Sequence, residues 1–204
     1  MLDSVRTSYV GDYARALATA LQDGQASDRA GKIVPLDEVV RWAAATARRV
    51  HDAGNKLMFV GNGGSATTAS HMATDYNKNG NLRTLSLNDS SMLTCLANDY
   101  SFDDVFAKLV EFHARAGDLL VAISSSGKSP NILNAVRTAR MLGCTVLTMS
   151  GFAPDNPLRR EGDINVYLPS DFYGIVEIGH LALCHAIVDY SMEQDGRGPA
   201  RRRD

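Results

Sequence analysis

Lys56-Leu57-Met58-Phe59-Val60-Gly61-Asn62-Gly63-Gly64-Ser65, running on into Ala66-Thr67-Thr68-Ala69-Ser70-His71, is the stretch that decides the fold. An apolar run, a glycine turn and a helix start follow one another. Glycines let the backbone turn sharply and bring its N–H groups close to a ligand. The helix start behind them offers unpaired donors and a positive dipole end, which suits phosphate. The same order returns further on. Leu119-Leu120-Val121-Ala122-Ile123 leads into Ser124-Ser125-Ser126-Gly127-Lys128-Ser129, and a helical pattern begins at Pro130.

Neither turn has the spacing of a Walker loop or of the dinucleotide glycine fingerprint. Hydroxyls stand where lysine or arginine would otherwise neutralise a triphosphate. A ring of serine hydroxyls and backbone amides suits one phosphate monoester on a sugar. The residues chosen for it are Ser65, Ser124, Ser125, Ser126 and Ser129, with Gly63 at the first turn. Asn62 is expected to shape that turn and to meet sugar hydroxyls. The bland alternative for either turn is a tight strand–helix connection with no ligand, and finding two of them in one chain weighs against it.

The rest of the chain alternates in the same way. Strands are expected at 56–60, 82–86, 118–123, 144–149 and 164–168. Helices are expected at 65–78, 89–98, 103–115, 130–142 and 173–192. The strands are short continuous apolar runs, as in a parallel sheet covered on both faces. The reading is a doubly wound α/β/α sandwich with a five-stranded parallel sheet. Ligands bind such sheets outside the C-terminal strand ends, where both turns fall. Ahead of the sheet lie two helices, one over 5–23 with Tyr9, Tyr13, Leu17 and Leu21 at helical spacing, and one opened by Pro35. Gly24 to Gly31 reads as a polar loop between them. Residues 1–195 form one domain with a helical extension over 1–53, and 196–204 read as a disordered basic tail ending in Arg201-Arg202-Arg203.

The 204 residues carry 21 basic and 23 acidic side chains, a net charge of -2. That gives no whole-molecule attraction to nucleic acid or to a membrane surface. Cys95, Cys144 and Cys184 lie far apart in apolar runs, so buried free thiols in a reducing compartment are expected. The chain shows no secretory signal pattern and no apolar run long enough to cross a membrane, which points to the cytoplasm.

Four pieces carry a family resemblance: GNGGS after a strand, Asn98-Asp99 mid-chain, ISSSGKS after a later strand, and a terminal helix with two histidines. In this combination the chain resembles the sugar isomerase (SIS) family, and more narrowly the phosphoheptose isomerases. The resemblance implies reversible conversion of sedoheptulose 7-phosphate into a heptose 7-phosphate aldose through an enediol. It implies a homotetramer with active sites between subunits, and a divalent metal, zinc first, in each. The ligand set it implies is His71, Asp75, Glu177 and His185. Asp75 and Glu177 depart from the family's glutamate and glutamine, which leaves another ketose phosphate open, an eight-carbon one included. It also leaves open a non-catalytic SIS protein that binds sugar phosphates or the replication initiator.

On the residues alone, Asp75 is the candidate base for moving a proton between adjacent carbons. It lies four residues after His71, on the same helix face. A solvated surface aspartate is its plain alternative, and a half-buried hydrogen-bonded histidine is the plain alternative for His71. His185 is the candidate second acid/base. His180 lies about 140° round the helix from it and reads as structural. Asn98 and Asp99 are candidates for binding sugar hydroxyls, with helix capping as the alternative.

Overall fold

Leu57–Gly61, Leu119–Ser124 and Ile164–Tyr167 are buried at every position. Strands of that kind belong inside a sheet with helices on both faces. The computed structural model describes residues 8–197 and has this architecture. In chain order the helices are α1 (Tyr9–Gln22), α2 (Leu36–Asp52), α3 (Gly64–Lys78), α4 (Ser90–Asp99), α5 (Val105–His113), α6 (Pro130–Met141) and α7 (Tyr173–Gln194). The strands are β1 (Gln25–Asp28), β2 (Leu57–Gly61), β3 (Thr84–Ser86), β4 (Leu119–Ser124), β5 (Thr145–Ser150) and β6 (Ile164–Tyr167).

The sheet runs β1-β6-β5-β4-β2-β3. β2 to β6 are parallel, and β1 pairs antiparallel with β6. The sheet therefore has six strands where five were expected. The sixth comes from the segment read as a polar loop. Gln25-Ala26-Ser27-Asp28 has too little apolar character to signal a strand, but β6 offers a free edge and Ala26 buries against it. The expected helix at 103–115 also divides, into a 3₁₀ turn at Phe102–Asp104 and α5.

Helices α2, α3 and α7 cover one face, where Val39, Ala43, Met72, Tyr76, Ile187 and Val188 meet Phe59, Val121 and Met149. Helices α4, α5 and α6 cover the other, where Leu96, Phe106, Leu109, Ile132 and Val136 meet Met58, Leu120 and Val146. Each fully buried Val, Leu, Ile, Phe or Met among them contributes about 1.5–3 kcal/mol. By length and composition α7 is long and apolar enough to cross a membrane, contrary to the sequence expectation. In the fold it is a core helix, with Ile175, Val176, His180, Cys184, Ile187 and Val188 buried.

The chain leaves β2 towards β3 on one side and returns to β4 on the other. The crossover direction thus reverses between β2 and β4, and a crevice opens at their C-terminal ends. At the opposite end the pair is clamped. Asp118, fully buried, accepts from the Lys56 N–H (2.9 Å), the Arg115 N–H (2.8 Å) and the Lys56 ammonium (2.5 Å).

Two details differ from the sequence reading. Cys144 and Cys184 are buried, but Cys95 is exposed because Leu96, not Cys95, turns inward from α4. Gly196 and Arg197, placed in the tail, close α7 instead. The Arg197 guanidinium donates to Asn79 O at 3.0 Å and pairs with Asp195 at 2.7 Å. Arg201–Arg203 lie outside the described residues.

Candidate active site

Strands β2 and β4 are neighbours in register, with Gly61 opposite Ile123. Their C-terminal turns therefore sit side by side. The first leads into α3 through Gly63, the N-cap residue. The second leads into α6 through Ser129, with Pro130 as its first residue. Neither helix receives a side-chain capping bond, whereas Ser8 and Asp89 cap α1 and α4. Pro130 has no N–H, and the N–H groups of Ser65, Ala66, Thr67 and Ile132 donate to the carbonyls of Asn62, Gly63 and Ser129, so the Gly64 and Asn131 N–H groups are the ones left for a ligand.

The turns are tied to each other. Asn62 and Asn131 exchange two amide hydrogen bonds, 2.9 and 3.0 Å. Ser65, Ser124 and Ser125 are buried, and Ser126 and Ser129 are half-buried. Ser124 Oγ and Ser129 Oγ lie 3.4 Å apart. Ser126 Oγ accepts from the Lys128 N–H at 3.3 Å, and the Ser125 hydroxyl is buried without a partner among the described residues. Lys128 itself is exposed. The structure thus brings Asn62, Gly63, Ser65, Ser124, Ser125, Ser126 and Ser129 to one place.

Further along α3, His71 and Asp75 face α7. His71 Nε2 lies 3.1 Å from His185 Nε2. Asp75 Oδ2 lies 3.6 Å from His71 Nε2 and 3.5 Å from His185 Nδ1. Both separations are longer than a hydrogen bond. Tyr76 OH donates to Cys184 O at 3.1 Å and holds α3 against α7 beside the cluster. The side chains of His71, Asp75 and His185 remain 51%, 21% and 36% exposed, so a ligand can reach all three.

One potential donor atom from each of His71, Asp75 and His185 lies within 4.8 Å of the others. Two imidazoles and a carboxylate are a donor set that holds a catalytic zinc with one position open. Glu177, the fourth expected ligand, is not in this group. Helix α7 is continuous, and eight residues place Glu177 about 12 Å from His185 along its axis. Its carboxylate instead rests on Gly64, where a Cβ would overlap it.

Asn98 and Asp99 form the end of α4, exposed, and satisfy each other through Asn98 Nδ2 and Asp99 Oδ1 at 2.9 Å. Asp99 also accepts from Cys95 Sγ at 3.5 Å. No hydrogen bond joins either to the two turns among the described residues. His180 is buried as expected, with Nε2 3.1 Å from Ser150 O. Sequence reasoning missed Asn131 and Asn156. Asn131 stands on the buried face of α6 among Ile132, Ala135 and Val136, and a polar residue in an apolar stripe was the available signal.

The SIS domain sequence profile matches residues 32–151. A phosphoheptose isomerase of a Bradyrhizobium species is 37% identical over 193 residues, covering 92% of each chain. The chain belongs to the SIS domain family, on its phosphoheptose isomerase branch. Among solved structures, a phosphoheptose isomerase from Neisseria gonorrhoeae superposes with a TM-score of 0.74 at 28% identity. That match covers 90% of this chain and 97% of the other. A phosphoheptose isomerase from Francisella tularensis gives 0.76 at 25% identity, covering 90% and 96%. The SIS profile ends at Gly151, so His185 lies beyond the profile and inside the phosphoheptose isomerase similarity.

Proposed function

We propose that this SIS protein is an aldose–ketose isomerase acting on sedoheptulose 7-phosphate. The observation that carries the reading is the pairing, in one crevice, of two uncapped Ser/Gly turns with an imidazole–carboxylate cluster further along α3. From Gly64 to His71 the helix advances about 10 Å. That separation suits a ligand with phosphate at one end and the reacting carbons at the other.

In this reading Ser65, Ser124, Ser126 and Ser129 and the N–H groups of Gly64 and Asn131 hold the phosphoryl group, while Asn62 meets sugar hydroxyls. Asp75 takes the proton from C1 of the ketose, giving the enediol, and the proton is returned at C2. His185 moves the hydroxyl proton from O1 to O2, and His71 orients Asp75. General acid–base placement of this kind contributes about 10²–10⁴-fold in rate. The donor set of His71, Asp75 and His185 fits a divalent metal, zinc first, which when bound polarises the carbonyl and its neighbouring hydroxyl.

The subunits are read as a homotetramer in the cytoplasm, with a neighbouring chain closing each site. The exposure of the cluster and the separate position of Glu177 support that arrangement. Incubation with five- to eight-carbon ketose phosphates tests the reaction. Aldose formation with solvent deuterium uptake is the expected result, greatest on the seven-carbon ketose. Phosphate binding without isomerisation of any ketose would return the binding-protein reading.

A further inference from the structure

Five residues before the acid/base histidine on α7, His180 is fully buried. Its Nε2 faces the Ser150 carbonyl oxygen at the end of β5. A carbonyl only accepts, so Nε2 carries the proton and Nδ1 is bare. Burial pushes its pKa down to about 4, so the ring is neutral near pH 7. Ser150 marks the start of a segment that grips the second turn. Gly151 N–H donates to Ser125 O at 2.9 Å, and Leu158 N–H donates to Gly127 O at 3.2 Å. Between them, Asn156 Nδ2 reaches Ser150 Oγ (3.2 Å), Gly151 O (3.1 Å) and Ala153 O (2.9 Å). The same amide sits against Gly127, and Val176 of α7 packs over Gly151.

Among the described residues, the buried side-chain polar atoms without a partner are Ser125 Oγ, Asn156 Oδ1 and His180 Nδ1. All three lie on this one tract. Unpaired buried polar atoms cost stability, so a tract that collects them serves something besides stability. Nor does Ser150 O depend on the imidazole, since it also accepts from the Leu168 N–H at 2.9 Å. The imidazole's distinct effect is to join α7 to the strand end that holds the turn.

We propose that His180 is a positioning residue of the sugar-phosphate site. It locks α7 to the end of β5 and, through Ser150 and Asn156, fixes the Ser124–Ser129 turn relative to His185. The inference rests on the isomerase reading of that crevice.

The full chain is compared with His180→Leu, which keeps bulk without a donor, and His180→Gln, which places an N–H near that of Nε2. Titration with inorganic phosphate, KM and kcat for the ketose phosphate, and the thermal midpoint are measured for each. A displaced site loses about tenfold or more. His180→Leu is expected to weaken phosphate binding and raise KM to that extent, with kcat reduced less and the midpoint close to that of the parent. His180→Gln is expected to restore phosphate affinity. Unchanged phosphate affinity in His180→Leu, or a loss that His180→Gln fails to restore, overturns the proposal. Should His180→Leu not fold, Asn156→Ala enters the same titration, and unchanged affinity there overturns it equally. A parent chain that binds no phosphate overturns the isomerase reading as well. A parent that binds and isomerises, with variants like it, overturns this inference alone.

Discussion

The two ends of the crevice are built by different means. The end proposed to hold phosphate is backbone and short hydroxyls, set at adjacent strand ends and buried at Ser65, Ser124 and Ser125. The end proposed to do the chemistry is three side chains from two helices, all solvent-reachable, held by packing between α3 and α7. One end is tied together by the Asn62–Asn131 pair and the β2–β4 register. The other depends on two helices keeping their relative rotation. Binding and turnover should therefore separate on mutation, and the sharpest tests drive them apart.

The largest separation is expected at the cluster. Asp75→Asn keeps shape and removes the base, and His185→Gln keeps a polar group and removes the imidazole. Each should lower kcat by about 10²–10⁴-fold, with affinity for inorganic phosphate unchanged. Rates of aldose formation and a phosphate titration on the same preparation read both quantities. Full turnover in either variant breaks the assignment, and lost phosphate binding breaks the claim that the ends are independent. Chelator treatment divides the cluster's two roles. A drop in turnover restored by zinc, with phosphate affinity constant, is the expected outcome, and unchanged rates in metal-stripped protein count against the metal.

The same contrast explains what the sequence discloses. The turns are local: a strand, a glycine or serine run and a helix start stand in consecutive residues, so Gly61–Ser65 and Ser124–Ser129 are readable as they stand. His71 and Asp75 share a helix face and are readable by spacing. Their meeting with His185 depends on α3 packing on α7, a tertiary fact that only the family resemblance supplied. Strand β1 escaped notice because its ladder partner, β6, lies over 130 residues away and its own residues are small and polar. Asn131 escaped because its partner Asn62 reaches it only in the fold, and Asn156 because the Gly127 turn it rests against lies about 30 residues away. Glu177 shows the converse limit: motif matching named it a ligand, and one chain places it on Gly64.

A smaller effect is expected from acid. His180 has its folded pKa lowered from 6.5 to about 4, chiefly by burial. As pH falls below 6.5 the unfolded chain takes up a proton that the folded chain refuses. Stability from the neutral ring is complete above pH 6.5 and is lost progressively down to about pH 4, where the folded ring also protonates. The full span corresponds to about 3 kcal/mol. His180→Gln has no such proton to take up. Denaturant unfolding of both proteins between pH 7 and 4 should show the parent losing stability faster, with the two curves running parallel below that range. Parallel curves throughout would mean that the imidazole is not buried and neutral.

The smallest expected effect isolates the turn itself. Gly127 has φ +62 and the Asn156 amide against it, whereas Gly54 has φ +76 and open space around it. Alanine at either position meets the left-handed backbone cost of about 1–2 kcal/mol, a fall of a few degrees in thermal midpoint for a chain of this length. Only Gly127→Ala also displaces Asn156 and the turn it braces. Gly127→Ala should therefore lose more stability than Gly54→Ala, and phosphate affinity should fall in Gly127→Ala and hold in Gly54→Ala. Equal affinity in both would mean that the second turn tolerates displacement and that the phosphate end owes its grip to the first turn and the helix amides.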